Sequence, residues 1–302
     1  MCSHRALLSV AMVVLSGSAL RAEEKYTLTM SRPEKTGDRQ LITKIESMKM
    51  EMTVQDSDGN VVREQKESKD KTEAFEETIL AKVDGKRASK FQRRYEKIEA
   101  TKNGARVNTR LAGKTVVFER ANNAVQFRFD DGKELSGDAL DFLQEEFKNK
   151  GDDKESKLDE AIMPKQPVAV GDSWACDVKT FILEFTKGDG RDAIDEAKAK
   201  ATGKLVRVYK KDGHNFGVIE SLIELPLKAI GPAPMQIPAD PGSVLKINAT
   251  FDGCVDGSET NGGLKSTIEM KATATLNMGN DKAATLKIVM KGNANETQKP
   301  AK

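Results

Sequence analysis

Residues 264–276 read LKSTIEMKATATL. In an extended chain, Leu264, Ile268, Met270, Ala272, Ala274 and Leu276 fall on one side, and Lys265, Thr267, Glu269, Lys271, Thr273 and Thr275 fall on the other. Alternation sustained over that length is the pattern of an antiparallel strand with one face buried and one face wet. The same period recurs in Val125-Phe127-Phe129 and in Ala284-Leu286-Ile288-Met290, and more weakly across residues 75–83 and 91–98. Residues 181–185 and 216–227 are apolar on both sides and read as central strands of the same sheet system.

Seven Asp-Gly pairs punctuate the chain: Asp58-Gly59, Asp84-Gly85, Asp131-Gly132, Asp189-Gly190, Asp212-Gly213, Asp252-Gly253 and Asp256-Gly257. Asn103-Gly104 and Asn261-Gly262 join them. Such pairs accept the positive φ angles of tight hairpins, so they are expected to join neighbouring strands. One segment carries a helical period instead. Ser136 offers a cap, Asp138 and Asp141 suit the positive end of the helix dipole, and Ala139, Leu140, Phe142, Leu143 and Phe147 form an apolar stripe. These signals predict a mainly β fold: a large antiparallel curved sheet or half-barrel with one central amphipathic helix. The charged stretch 151–160 separates two sequence halves, 23–150 and 164–302, expected to share one sheet system. Residues 226–242, PLKAIGPAPMQIPADPG, hold five of the nine prolines and cannot donate a regular ladder, so they are read as a cover for a sheet edge, with a lid over a cleft as the alternative.

Composition narrows the function classes. Residues 1–22 contain His4 and Arg5, an apolar run from Ala6 to Leu15, the small-residue stretch Ser16-Gly17-Ser18-Ala19 and then Leu20-Arg21-Ala22, which is the layout of a cleaved export signal. The run falls short of the ~20 residues needed to span a bilayer. The protein is therefore expected to be periplasmic or extracellular, soluble after cleavage and without an integral membrane segment. Arg5 and Arg21 are the only charged residues of that leader apart from any charge on His4, so the remaining chain carries 47 basic against 47 acidic side chains. Neutrality argues against nucleic acid as a partner. Cys176 and Cys254 are the cysteines beyond the leader, an even number in an oxidising compartment, and a bridge between them is expected.

Chemistry-bearing constellations are sparse, so no catalytic residue, metal ligand or cofactor is assigned. His214, the one histidine beyond the leader, sits in Lys211-Asp212-Gly213-His214-Asn215 and reads as an exposed turn residue, since catalysis or metal binding demands a positioned partner set. Gly188-Asp189-Gly190-Arg191-Asp192-Ala193 matches G-x-G-x-x-A in form, yet its two aspartates would repel a pyrophosphate. Asp56-Ser57-Asp58-Gly59-Asn60 lacks the later ligands of a calcium loop and reads as a hairpin turn.

Residues 164–174, PKQPVAVGDSW, resemble the P-x-x-P-V-x-V-G-D-x-W stretch of uncharacterised, exported, β-rich bacterial proteins, and the strand-rich layout is similar to the lipoprotein-carrier (LolA-like) half-barrels. The resemblance implies a fold and no active site. The candidate binding feature is different: Met48, Met50 and Met52, continued by Val54, recur at i, i+2 and i+4 and share one side of a strand. Flexible thioethers in a row suit an apolar ligand of variable shape, so the row is expected to line a shallow groove on the sheet; the alternative places it as core under the 140–147 helix. The function expected on these grounds is an extracytoplasmic, non-enzymatic binding or carrier protein for an apolar ligand, with a structural or envelope-interaction protein as the alternative and a hydrolase of unrecognised type as a remote one.

Overall fold

A computed structural model describes residues 24–30, 32, 34–83, 86–122, 124–148, 156–186, 190–231, 235–278 and 283–301. The expected leader, the Asp84-Gly85 turn and the first residue of Asp189-Gly190 lie outside them. In chain order the strands are β1 (Lys25–Tyr26), β2 (Arg39–Gln55), β3 (Val61–Ala81), β4 (Lys90–Lys102), β5 (Ala105–Val107), β6 (Thr115–Ala121), β7 (Ala124–Phe129), β8 (Val168–Ala169), β9 (Ser173–Ala175), β10 (Lys200–Lys211), β11 (His214–Pro226), β12 (Ala229–Ile230), β13 (Ile237–Pro238), β14 (Val244–Cys254), β15 (Gly262–Asn277) and β16 (Ala283–Pro300). The helices are α1 (Asp138–Phe147), α2 (Leu158–Ile162) and α3 (Val178–Thr186). Strands hold 60% of the described residues and helices 11%, so the fold is mainly β, as the alternation requires.

One antiparallel sheet of twelve strands dominates, in the order β7-β6-β4-β3-β2-β16-β15-β14-β11-β10-β9 with β5 beside β4. It remains open and closes into no barrel. Most neighbours are hairpin partners, and Asp212-Gly213 shows why: both residues take positive φ (52° and 87°), the geometry of a two-residue turn between β10 and β11. The pairing that joins the two sides is not local. β2 lies against β16, in register from Gln40↔Pro300 to Gln55↔Thr285.

One face of this sheet is covered. Over β3, β4, β6 and β7, α1 presses Leu143 and Phe147 onto Phe75, Phe91, Tyr95 and Phe118, with Phe91 and Phe118 stacked at 4.7 Å. On the other side, Phe181 and Ile182 of α3 cover Ile223, Leu225, Leu245 and Ile247. Between residues 227 and 239 the proline-rich segment supplies Leu227, Ile230, Ile237 and Ala239 to a third cluster with Ala272, Ala274 and Leu286. The same segment caps the free edge of β15 beyond β14: Asp240 N–H donates to Thr273 O (2.8 Å) and Thr273 N–H to Ser243 Oγ (3.0 Å). At Thr273, Asp240 and Ser243 thus satisfy an edge that β14 leaves unpaired. The opposite face is open to solvent and carries the charge row Glu224, Lys246, Glu269 and Lys291 on β11, β14, β15 and β16, consecutive cross-strand partners of alternating sign.

Several local expectations need correction. Residues 181–185 belong to α3, not to a strand; Asp177 accepts Thr180 N–H (3.1 Å) at its start, and Phe181 and Phe185 stack one turn apart. The stretch after Gly190 forms a single 3-10 turn, Arg191–Ala193, and then feeds β10. Helix α1 begins after Gly137 with no side-chain cap from Ser136. Asp252-Gly253 lies inside β14, where Gly253 faces Gly262 so closely that a Cβ would meet Gly262 Cα at 2.7 Å.

Candidate functional site

Met48, Met50, Met52 and Val54 do share one face of β2, the covered one, and all four are partly exposed. Register extends the row sideways. Met50 is the cross-strand partner of Met290 on β16, and Met290 is the partner of Met270 on β15. Neighbouring strands lie ~4.8 Å apart, so three methionines form a lane across the sheet. Gly292 and Ile268 stand beside Met48 in the next row, and Ile288 and Ala272 beside Met52. A glycine next to Met48 leaves the floor low there. The missed members, Met270 and Met290, sit in strands whose alternation is evident in the sequence; only the β2–β16 pairing brings them to the row.

The lane runs between the covers. Met52 and Val54 pack against the proline-rich segment, and Met270 and Met290 pack against the cluster under α3. Met48 and Met50 belong to none of the core clusters. Helix α1 packs against the phenylalanine cluster of β3, β4 and β6. On its far side the lane is bordered by charge, because the β3 partners of Met48, Met50, Met52 and Val54 are Lys69, Glu67, Gln65 and Arg63. Lys69 is tied to Glu145 of α1 by an ion pair.

Beyond Lys69 on the same face the charges go under cover. Lys71 pairs with Glu73 (2.9 Å) and Glu46 (3.3 Å), and Arg93 pairs with Glu77 and Glu146 at 2.8 Å each. The Arg93 guanidinium lies 4.4 Å from the Phe75 ring centre and 5.0 Å from that of Phe147, so aromatic faces supply part of its solvation. Burial would raise the Glu146 carboxyl, but Arg93 and Lys71 overcome it and pull it down to about 2. Glu73 goes the other way: its burial and the Glu146 charge raise it against the pull of Lys71. Two carboxyls in one environment are driven apart, and Glu73 holds its proton longer.

Cys176 and Cys254 do not form the expected bridge; both are free thiols. Cys176 pairs by its N–H with Ala201, whose partner on β11 is Ile223, while Cys254 pairs with Phe216 of the same strand. Seven residues of β11 separate those points, ~23 Å at 3.3 Å per residue and far outside disulfide reach. Burial pushes the Cys176 thiol up to about 11, which leaves it unreactive as a nucleophile. His214 is also corrected, because it has a partner set. Its Nδ1 lies 2.7 Å from Ser258 Oγ, and its Nε2 lies 3.3 Å from Glu259 Oε1. Among the described residues no group of three or more His, Cys, Asp and Glu side chains is arranged to hold a metal ion, and no helix is long and apolar enough to cross a membrane.

The PKQPVAVGDSW stretch builds structure around these parts. Asp172 Oδ2 accepts Ala169 N–H (2.8 Å), Gly171 N–H donates to Leu205 O (2.7 Å), and Trp174 donates through Nε1 to Ile162 O (2.7 Å). No protein-family model matches the chain, and no curated protein matches it. Among solved structures, a lipovitellin structure described as showing lipid–protein interactions is 5% identical with a TM-score of 0.34, covering 89% of this chain; this chain spans only 26% of its length. An outer-membrane channel from Pseudomonas putida is 9% identical with a TM-score of 0.18, covering 89% of this chain and 97% of its own. A FadL homologue from Pseudomonas aeruginosa is 6% identical with a TM-score of 0.12, covering 86% of this chain and 90% of its own. At these TM-scores the likenesses assign neither a fold family nor a ligand.

Proposed function

We propose that this protein is an exported, non-enzymatic binding or carrier protein that holds an apolar ligand, such as an acyl chain or an apolar peptide segment, on the methionine lane. The observation that carries the reading is the row Met50–Met290–Met270, partly exposed, which runs from the core under α3 at Met270 and Met290 out to Met50, with Met48 beside Gly292. Thioethers adapt to ligands of different shape, and the charged border along Lys69, Glu67 and Arg63 offers a place for a polar end. Export rests on the leader pattern of residues 1–22.

Met50→Asp separates this reading from a plain packing role. On an open lane the carboxylate stays hydrated, so the variant keeps the wild-type unfolding midpoint and loses binding of a fluorescent fatty-acid probe. If the lane is packed core, an unpaired carboxylate is buried at a cost of several kcal/mol, and a collapse of the thermal midpoint would overturn the proposal.

A further inference from the structure

Beyond the ends of β4 and β14, the strands β3, β2, β16 and β15 run on as an arm of the sheet. Its β15 edge meets Asp240 and Ser243. Its β3 edge is closed at Ser68, where β4 turns away: Ser68 N–H donates to Asn103 Oδ1 and Asn103 N–H to Ser68 O, both at 2.8 Å. From Glu67 back towards the hairpin turn, no strand among the described residues pairs with β3 on that side. The register of β2 and β3 slips at Val62, because Val54 faces Arg63 while Gln55 faces Val61. An extra residue of this kind bends the strand that carries it. The regular free edge is therefore residues 63–67, with Gln65 at its midpoint.

Backbone and side chains of this edge both suit a second copy of it. Ser68 points its N–H and C=O outward, so by the two-residue period of a strand Lys66 and Glu64 do the same. A two-fold axis through Gln65 brings Glu64 of one copy opposite Lys66 of the other, twice, as hydrogen-bonded pairs of an antiparallel ladder. On the other face the same axis sets Arg63 opposite Glu67, again twice. Read antiparallel to itself, Arg63-Glu64-Gln65-Lys66-Glu67 thus matches opposite signs at every charged position. An axis through Glu64 or through Lys66 would instead oppose that residue to its own copy, so the charges select the Gln65 register. Arg63, Glu64 and Lys66 are exposed, and the Lys66–Glu64 contact along the strand (2.9 Å) lies open to solvent. Charges on an edge ordinarily keep other strands away, and a run of one sign would repel a copy; this order attracts one.

We infer that residues 63–67 of β3 are a self-association edge, through which two copies of this chain pair antiparallel about Gln65 and join their sheets. The paired stretch is short, so the dimer is reversible and of the weak class. Its ion pairs lie at the surface, so salt weakens it. On the covered face the row Met270, Met290, Met50 and Glu67 then continues into Arg63 and Val54 of the second copy. Association is independent of what the methionine lane holds.

Analytical ultracentrifugation of the purified protein, without ligand, tests the edge. Wild type is expected to dimerise with a dissociation constant of about 10 to 100 µM at low salt. Arg63→Glu and Glu67→Arg each set like charges face to face at both contacts, and each should weaken the dimer at least ~10-fold. An equimolar mixture of the two variants restores opposite charges at both contacts, and so does the double variant Arg63→Glu/Glu67→Arg. Both should dimerise as wild type does, and unchanged melting temperatures check that every variant is folded. A wild type that stays monomeric at about 500 µM, single variants that dimerise undiminished, or a mixture that stays monomeric overturns the proposal.

Discussion

At the residue scale, the covered charges are the least legible part of the molecule. In the sequence nothing sets Lys71, Glu73 and Arg93 apart from the many other charged residues, and Glu73 proves fully buried. The reason is a helix that arrives from elsewhere: Glu146 on α1 descends on Arg93 only after α1 has packed its Phe147 into the aromatic cluster. Glu73 makes a testable consequence. Its carboxyl is raised by burial first and by Glu146 second, so the folded chain keeps a proton over a pH range in which the unfolded chain has released it. Stability from this group is then fullest below the ordinary carboxylate value and declines as pH rises through the folded value. Glu73→Gln is neutral throughout and keeps the size of the side chain. Urea unfolding should show the variant at least as stable as wild type near about pH 7, with wild type gaining on it towards about pH 4. A large destabilisation of the variant at neutral pH would show that the Glu73 charge is needed by Lys71.

Trp174 gives a contrasting residue. A Cβ on Gly203 would lie 2.4 Å from its ring, so the glycine opposite is what lets the indole lie flat on β10. The sequence shows the tryptophan at the end of a recognisable stretch, but a contact with a residue nearly thirty positions later leaves no local trace.

At the element scale, a long segment with a clear period declares its own structure. β15, β16 and β11 follow from alternation or from two-sided apolarity, and α1 follows from its stripe and its acidic first turn. α3 shows where the method fails, because a short run such as Phe181-Ile182-Leu183-Glu184-Phe185 fits a buried strand and a buried helix equally well by period. The cysteines fail for a related reason: parity and compartment permit a bridge, but strand register decides whether two residues meet. With Cys176 and Cys254 held at distant points of β11 register, the native protein should yield two reactive thiols per chain once denatured, counting from residue 23 onward. A reductant should leave the melting temperature where it was. Finding no thiol, together with a drop in midpoint on reduction, would restore the bridge and require a different β9–β10 register.

At the scale of the whole molecule, the sheet depends on one seam. β2 and β16 stand at opposite ends of the described chain, and their pairing closes a loop of more than two hundred residues. Non-local contacts of this kind cost chain entropy before they return any stability, and no pattern within either strand announces the partner. The strand order was for that reason hidden, although the strands themselves were not. β16 is paired along almost all of its length on both sides, with β2 and with β15. Ending the chain at residue 282 would therefore expose two long unpaired edges at once, and would take Met290 out of the lane between Met50 and Met270. Exposed edges of that length invite association with other chains. The truncated protein is expected to lose its cooperative unfolding transition and to scatter light, and a co-expressed segment of residues 283–302 should restore both solubility and the transition by strand addition. A truncated chain that unfolds with the wild-type midpoint would mean that the two sides fold independently and that the seam merely joins them. The fatty-acid probe distinguishes that case further, because a lane without β16 has lost its central methionine and should not bind it.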